Sequence, residues 1–129
     1  ERVVFDDPGA SGPSYADFEA PTHLSGTVTL LNDDWRAGEL VFDLDEEWSW
    51  EMLDGLANDI DYTVPFAMVS SIEPAGRSGC LVRLRNGHEI ELEDSHDVDE
   101  DNSGVVVIPK GPGEPTHVPW REIAKIEFD

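Results

Sequence analysis

The chain has 129 residues with a net charge of −21, from 8 basic and 29 acidic side chains. That length fits one ordinary domain or two very small ones, and an apolar content of 39% supplies a core. The charge excludes nucleic acid and anionic membrane as partners, because both require a basic footprint. It fits a halophilic or strongly solubilised surface, a cation-binding role or a basic partner.

Residues 1–24 read as a partly disordered arm. Asp6–Ser14 is rich in turn-forming residues, and Tyr15, Phe18 and Leu24 are the candidates to anchor it. The first strand is expected over Thr27–Leu31, ending at the turn cluster Asn32-Asp33-Asp34, with Ala37–Leu44 as the return strand. Gly38 inside the return strand predicts a bulge or bend. A third strand is expected over Trp48–Leu53, then a turn at Asp54-Gly55 and a fourth strand over Asp59–Val64. Pro65 cannot donate to a ladder, so it ends that strand, and Phe66–Val69 makes one helical turn before a fifth strand at Ser70–Glu73.

The same order returns further along. Leu81–Leu84 and Glu89–Glu93 flank Asn86-Gly87, a strong two-residue hairpin signal. Glu89–Glu93 alternates strictly, which buries one face and wets the other. Gly104–Ile108, Thr116–Val118, a turn over Pro119–Ala124 and Lys125–Phe128 complete the set. Val64-Pro65-Phe66 reappears 54 positions later as Val118-Pro119-Trp120, and Asp43–Glu47 as Asp97–Asp101. Ser25-Gly26 matches Ser78-Gly79 at an offset one residue shorter. The shared offset predicts an internal duplication. The fold class expected is therefore all-β: two tandem five-stranded barrels, residues 25–76 and 77–129, packed together because each unit alone is marginal and the linker Pro74–Ser78 is short.

Each unit resembles the small SH3-like barrels of the Sm-like and PRC-barrel kind, through Gly26-Thr27-Val28-Thr29-Leu30, Arg85-Asn86-Gly87-His88 and Val118-Pro119 followed by Ile123 and Ile126. The chain over 25–129 is also similar to a group of bacterial proteins without assigned function, through Leu53-Asp54-Gly55, Val64-Pro65-Phe66, Ile72-Glu73-Pro74 and Val118-Pro119-Trp120. Neither resemblance implies an activity or a ligand set. An RNA role of the Sm kind is opposed by the acidity.

Two features could bind something. Asp97, Asp99 and Asp101, followed by Asn102, resemble the opening of a calcium loop. The loop lacks glycine at its sixth position and a carboxylate at its twelfth, where Ile108 stands, and an acidic hairpin tip is the plainer explanation. Trp48 and Trp50, placed on one side of the expected third strand, are either interface core or an exposed platform for a saccharide or protein.

Nothing points to catalysis. His23, His88, His96 and His117 lack paired ligand spacing, no Gly-x-Ser-x-Gly elbow occurs, and no glycine-rich phosphate loop precedes a helix. Carboxylates are too abundant for any pair to single itself out as acid and base. Cys80 is alone, in an alternating strand, and reads as a small core hydrophobe. No apolar run is long enough for a membrane span. The chain opens at Glu1 without a signal-like segment, which is compatible with a secreted or periplasmic product. The function expected is a non-enzymatic binding or scaffold module, monomeric or paired through a strand edge. Its alternative is a calcium-dependent domain.

Overall fold

The computed structural model describes residues 22–129. Most of the expected arm, with Tyr15 and Phe18, lies outside the described residues, while Leu24 is buried in the core. The described chain is all-β. Its strands are β1 (Ser25–Leu30), β2 (Trp35–Phe42), β3 (Met52–Ala57), β4 (Ile60–Pro65), β5 (Val69–Ala75), β6 (Gly79–Leu84), β7 (Glu89–Glu93), β8 (Val105–Ile108), β9 (Thr116–Val118) and β10 (Ile123–Phe128). Short 3₁₀ turns at Phe66–Met68 and Trp120–Glu122 precede β5 and β10. Among the described residues no helix is long and apolar enough to cross a membrane.

The strands form one open antiparallel sheet in the order β4-β3-β7-β6-β5-β10-β1-β2-β8-β9. Replacing each strand by the one five places along returns the same order read backwards. Strands of residues 25–76 therefore pair with strands of 77–129 at four junctions besides the chain connection between β5 and β6. β1 pairs β10, β2 pairs β8, β3 pairs β7 and β5 pairs β10. The ladder is one open sheet and does not divide into the two packed five-stranded barrels expected. Local alternation specifies which face of a strand is buried, but not which neighbour completes its ladder.

The register repeats with one offset. Val28 faces Ile126 as Val82 faces Ile72, and Thr29 faces Lys125 as Arg83 faces Ser71. Both ladders then slip by one residue, at Ala124 and at Ser70, which are themselves 54 positions apart. Gly26 faces Phe128 and Cys80 faces Pro74, so Gly26 corresponds to Cys80 and the Ser-Gly match one residue short is coincidental.

The third strand lies further along than the sequence suggested. Asp54-Gly55 sits inside β3, and the hairpin turns instead at Asn58 and Asp59, both with positive φ. Gly55 is in the strand because β7 approaches it closely: a Cβ there would stand 2.7 Å from the Cβ of Leu92. Gly38 likewise makes no bulge. Its ladder with β1 is regular, and a Cβ would strike the Ile108 carbonyl oxygen at 2.1 Å.

The core is continuous across both halves. Phe42 of β2 is fully buried between the two 3₁₀ turns, 5.2 Å from the ring of Phe66 and 5.9 Å, edge-on, from that of Trp120. Phe66 in turn meets Phe128 at 5.8 Å. Each Val-Pro places its following aromatic the same way, because proline ends the strand and the tight turn drops the ring inward. Truncating a buried aromatic of this kind costs about 3–5 kcal/mol. Phe42→Ala should lose that much in denaturant unfolding, with Trp fluorescence and circular dichroism changing in a single transition. A loss below about 1 kcal/mol, or two separated transitions, would contradict a shared core.

Candidate functional site

β2 ends at Phe42 and hands over to an acidic loop. Asp43 and Leu44 both adopt positive φ, and the Glu46 N–H returns to the Phe42 carbonyl at 2.9 Å. The tight turn brings carboxylate oxygens of Asp43, Asp45 and Glu46 within 4.8 Å of one another. The corresponding loop of the second unit approaches the same place. Asp43 Oδ2 lies 3.2 Å from His96 Nε2.

The aspartate that opens each acidic run, Asp43 and Asp97, substitutes for a missing ladder acceptor. Asp43, itself buried, accepts the Ser103 N–H at 2.7 Å just ahead of β8. Asp97 accepts the Asp54 N–H at 2.9 Å within β3, which β7 engages only through Leu56 and Glu93. A carboxylate accepting a backbone N–H is a strong, charge-assisted bond. The repeated Asp thus has a structural role that requires no ligand.

The charge does not go unbalanced. Burial, a hydrogen bond with Asp45 and the negative fields of Asp97, Asp45 and Asp43 push the Glu46 carboxyl up to about 9. At neutral pH it is a neutral acid. Glu46 Oε1 is buried and has no hydrogen-bond partner among the described residues. Asp97 is also raised, by burial first and then by Asp54, Asp43 and Asp45, against the pull of the Asp54 N–H. Desolvation and like charge act together here, and a proton on Glu46 relieves both.

The other expected residues do not join this cluster. Asp99 Oδ1 accepts the Asp101 N–H at 2.9 Å, and Asp101 is exposed. Asn102 is buried and braces the loop, donating to the Asp97 carbonyl at 2.7 Å and accepting the Gly104 N–H at 2.6 Å. Trp48 and Trp50 do not share a strand face. Residues 49–51 turn, Glu51 Oε2 accepts the Glu47 and Trp48 N–H groups, and Trp48 stacks on His23 with ring centres 3.9 Å apart. Trp50 is 59% exposed. Cys80 is buried, and burial foremost pushes its thiol up to about 12, which leaves it protonated and unreactive.

Sequence reasoning missed the grooves beside β4. One, of about 450 Å³, is lined by Asp54, Asp61 and Asp94 with Leu56, Tyr62 and Thr63. The other, of about 570 Å³, runs past Tyr62 and Ala57 to Glu89, Glu91 and Glu93. Among the described residues no Lys or Arg lines either. The strict alternation of Glu89–Glu93 signalled one such row, but its juxtaposition with β4 depends on the pairing of β3 with β7. No family model, curated protein or solved structure matches the chain.

A raised carboxyl makes a signed prediction. Glu46 binds its proton more tightly folded than unfolded, so its contribution to stability is complete below pH 4.5 and is lost as pH rises through about 9. Glu46→Gln keeps a donor for Asp45 and cannot ionise. It should raise the melting temperature by a few degrees at neutral pH, and flatten the pH dependence between 4.5 and about 9. A lower melting temperature would show that an ionised carboxylate is needed there.

Proposed function

We propose that the chain is a non-enzymatic binding module, a duplicated small barrel of the SH3-like type, that receives a cationic segment of another protein. The palindromic strand order and the single 54-residue offset support the duplication. The observation that carries the binding reading is the pair of grooves on either side of β4, each lined by three carboxylates and, among the described residues, by no cation. Opposite charge on a partner steers encounter and sets specificity, with a strong dependence on salt. A saccharide platform has less support, because Trp48 is stacked on His23 and leaves Trp50 without an aromatic companion of the expected kind.

The test is to compare two variants of equal net charge for binding to poly-lysine. Asp54→Asn with Asp61→Asn and Asp94→Asn should weaken binding by roughly tenfold, a difference of about 1.4 kcal/mol. Neutralising Asp33, Asp34 and Glu122, at the far hairpin, should change it less than about twofold. Equal losses would mean that charge acts only in bulk, with no groove involved.

A second reading, a calcium-dependent domain, is favoured by the convergence of Asp43, Asp45 and Glu46 with Glu46 Oε1 unpartnered. Here a cation would replace the proton on Glu46, beside Asp97. Calcium should then raise the melting temperature where sodium at matched ionic strength does not. Equal responses to the two cations would remove this reading.

A further inference from the structure

The two ends of the sheet are treated unequally. β9, at one end, has three residues and is preceded by Pro115. It is blunted in the way natural edge strands are, by shortness and proline. β4, at the other end, has six residues, carries no Lys or Arg and meets proline only at its last position, Pro65. Among the described residues β3 is its only ladder neighbour.

The backbone of β4 is set out for a further strand. The turn at Asn58 and Asp59 is a two-residue loop with positive φ at both positions, and it closes on the pair Ala57 and Ile60. Such a loop closes on a hydrogen-bonded pair, after which bonded and non-bonded pairs alternate along the ladder. Ile60, Tyr62 and Val64 therefore bond to β3. Asp61 and Thr63 direct their N–H and C=O groups to the open side.

The side chains point the same way. Val64, Tyr62 and Ile60 share one face of the strand and run from buried, through 39%, to 58% exposed. This apolar stripe leaves the core and continues to the surface with none of the described residues over it. The other face carries Asp61 and Thr63, beside Asp54 and Asp94. A second copy paired antiparallel on β4 would set these carboxylates against their own counterparts. A strand alternating apolar and cationic residues meets both faces with complementary chemistry.

We propose that β4 is a strand-addition site, which takes an extended peptide of alternating apolar and Lys or Arg residues as an eleventh strand of the ten-stranded sheet. This rests on the reading of the molecule as a binding module for cationic segments, and adds where and how the segment binds. Main-chain bonds to Asp61 and Thr63 supply affinity, and the apolar stripe and the carboxylates supply selectivity.

The experiment measures binding of a fluorescent peptide of alternating Val and Lys to the full chain, with hydrogen exchange followed at individual amides. The wild-type protein should bind, and the Asp61 and Thr63 amides should become protected. Thr63→Pro removes an outward N–H, leaves the β3 ladder intact and should weaken binding by at least roughly tenfold. Tyr62→Lys, which places a cation on the apolar stripe, should do the same, while Trp35→Ala at the remote end of β2 should bind as wild type. Undiminished binding by both β4 variants, without protection of the two amides, overturns the strand-addition site yet leaves a cationic partner in place. Failure of the wild-type protein to bind the peptide at low salt overturns the underlying reading as well. Self-association without peptide that Thr63→Pro abolishes would assign the edge to a second copy instead, and overturn the proposal.

Discussion

Phe42 has to sit between Phe66 and Trp120, and much else in the molecule follows from that packing. The two flanking rings lie 54 positions apart in sequence, whereas the residue 54 positions beyond Phe42 is His96, which is exposed. To place Phe42 there, β2 runs on past its pairing with β1 and bonds β8 over four residue pairs. On the other side β7 stops at Glu93 and holds β3 by the single pair with Leu56. One aromatic with no match 54 positions on thus accompanies a difference between the two ends of a strand order that is itself palindromic. The loosely zipped half is the one that presents β4.

The acidic loops follow from the same asymmetry. Where β7 falls short, β3 keeps an N–H at Asp54 that the Asp97 carboxylate satisfies. Where β2 runs on, Asp43 turns under β8 and takes the Ser103 N–H. Both bonds require carboxylates close to the core, in a chain with 29 acidic side chains. Their mutual repulsion would be costly at low effective dielectric. Protonation of Glu46 is the local relief, and it explains how an acidic cluster can persist in a folded protein at neutral pH.

Much of the local structure was legible in the residues. The hairpin turns at Asn86-Gly87 in place but not in type, since only Gly87 has positive φ and Leu84 and His88 close a three-residue loop; Glu89–Glu93 is a strand over those same residues, and both Val-Pro pairs end a strand and begin a 3₁₀ turn. What could not be read depends on distant partners. Asp54-Gly55 has the composition of a turn, yet the approach of Leu92 makes Gly55 a strand residue. That shift moves β3 along the chain, takes Trp48 and Trp50 out of a shared face and leaves Trp48 against His23. The repeated acidic motif was visible as sequence, but its two copies adopt different turns: Val98 is fully buried where Leu44 is exposed. The candidate site is assembled from loops that only the crossed pairing brings together.

Interleaving of the two units is tested most directly by cutting the chain between them. Residues 22–76 and 77–129, prepared separately, should each lack a cooperative thermal transition, because each supplies strands whose ladder partners lie in the other. Mixed in equal amounts, they should recover one transition and the near-ultraviolet signature of the packed aromatic rings. A cooperative melt from either fragment alone, unchanged when the other is added, would show that the units are self-contained and that the crossed ladder does not hold the protein together.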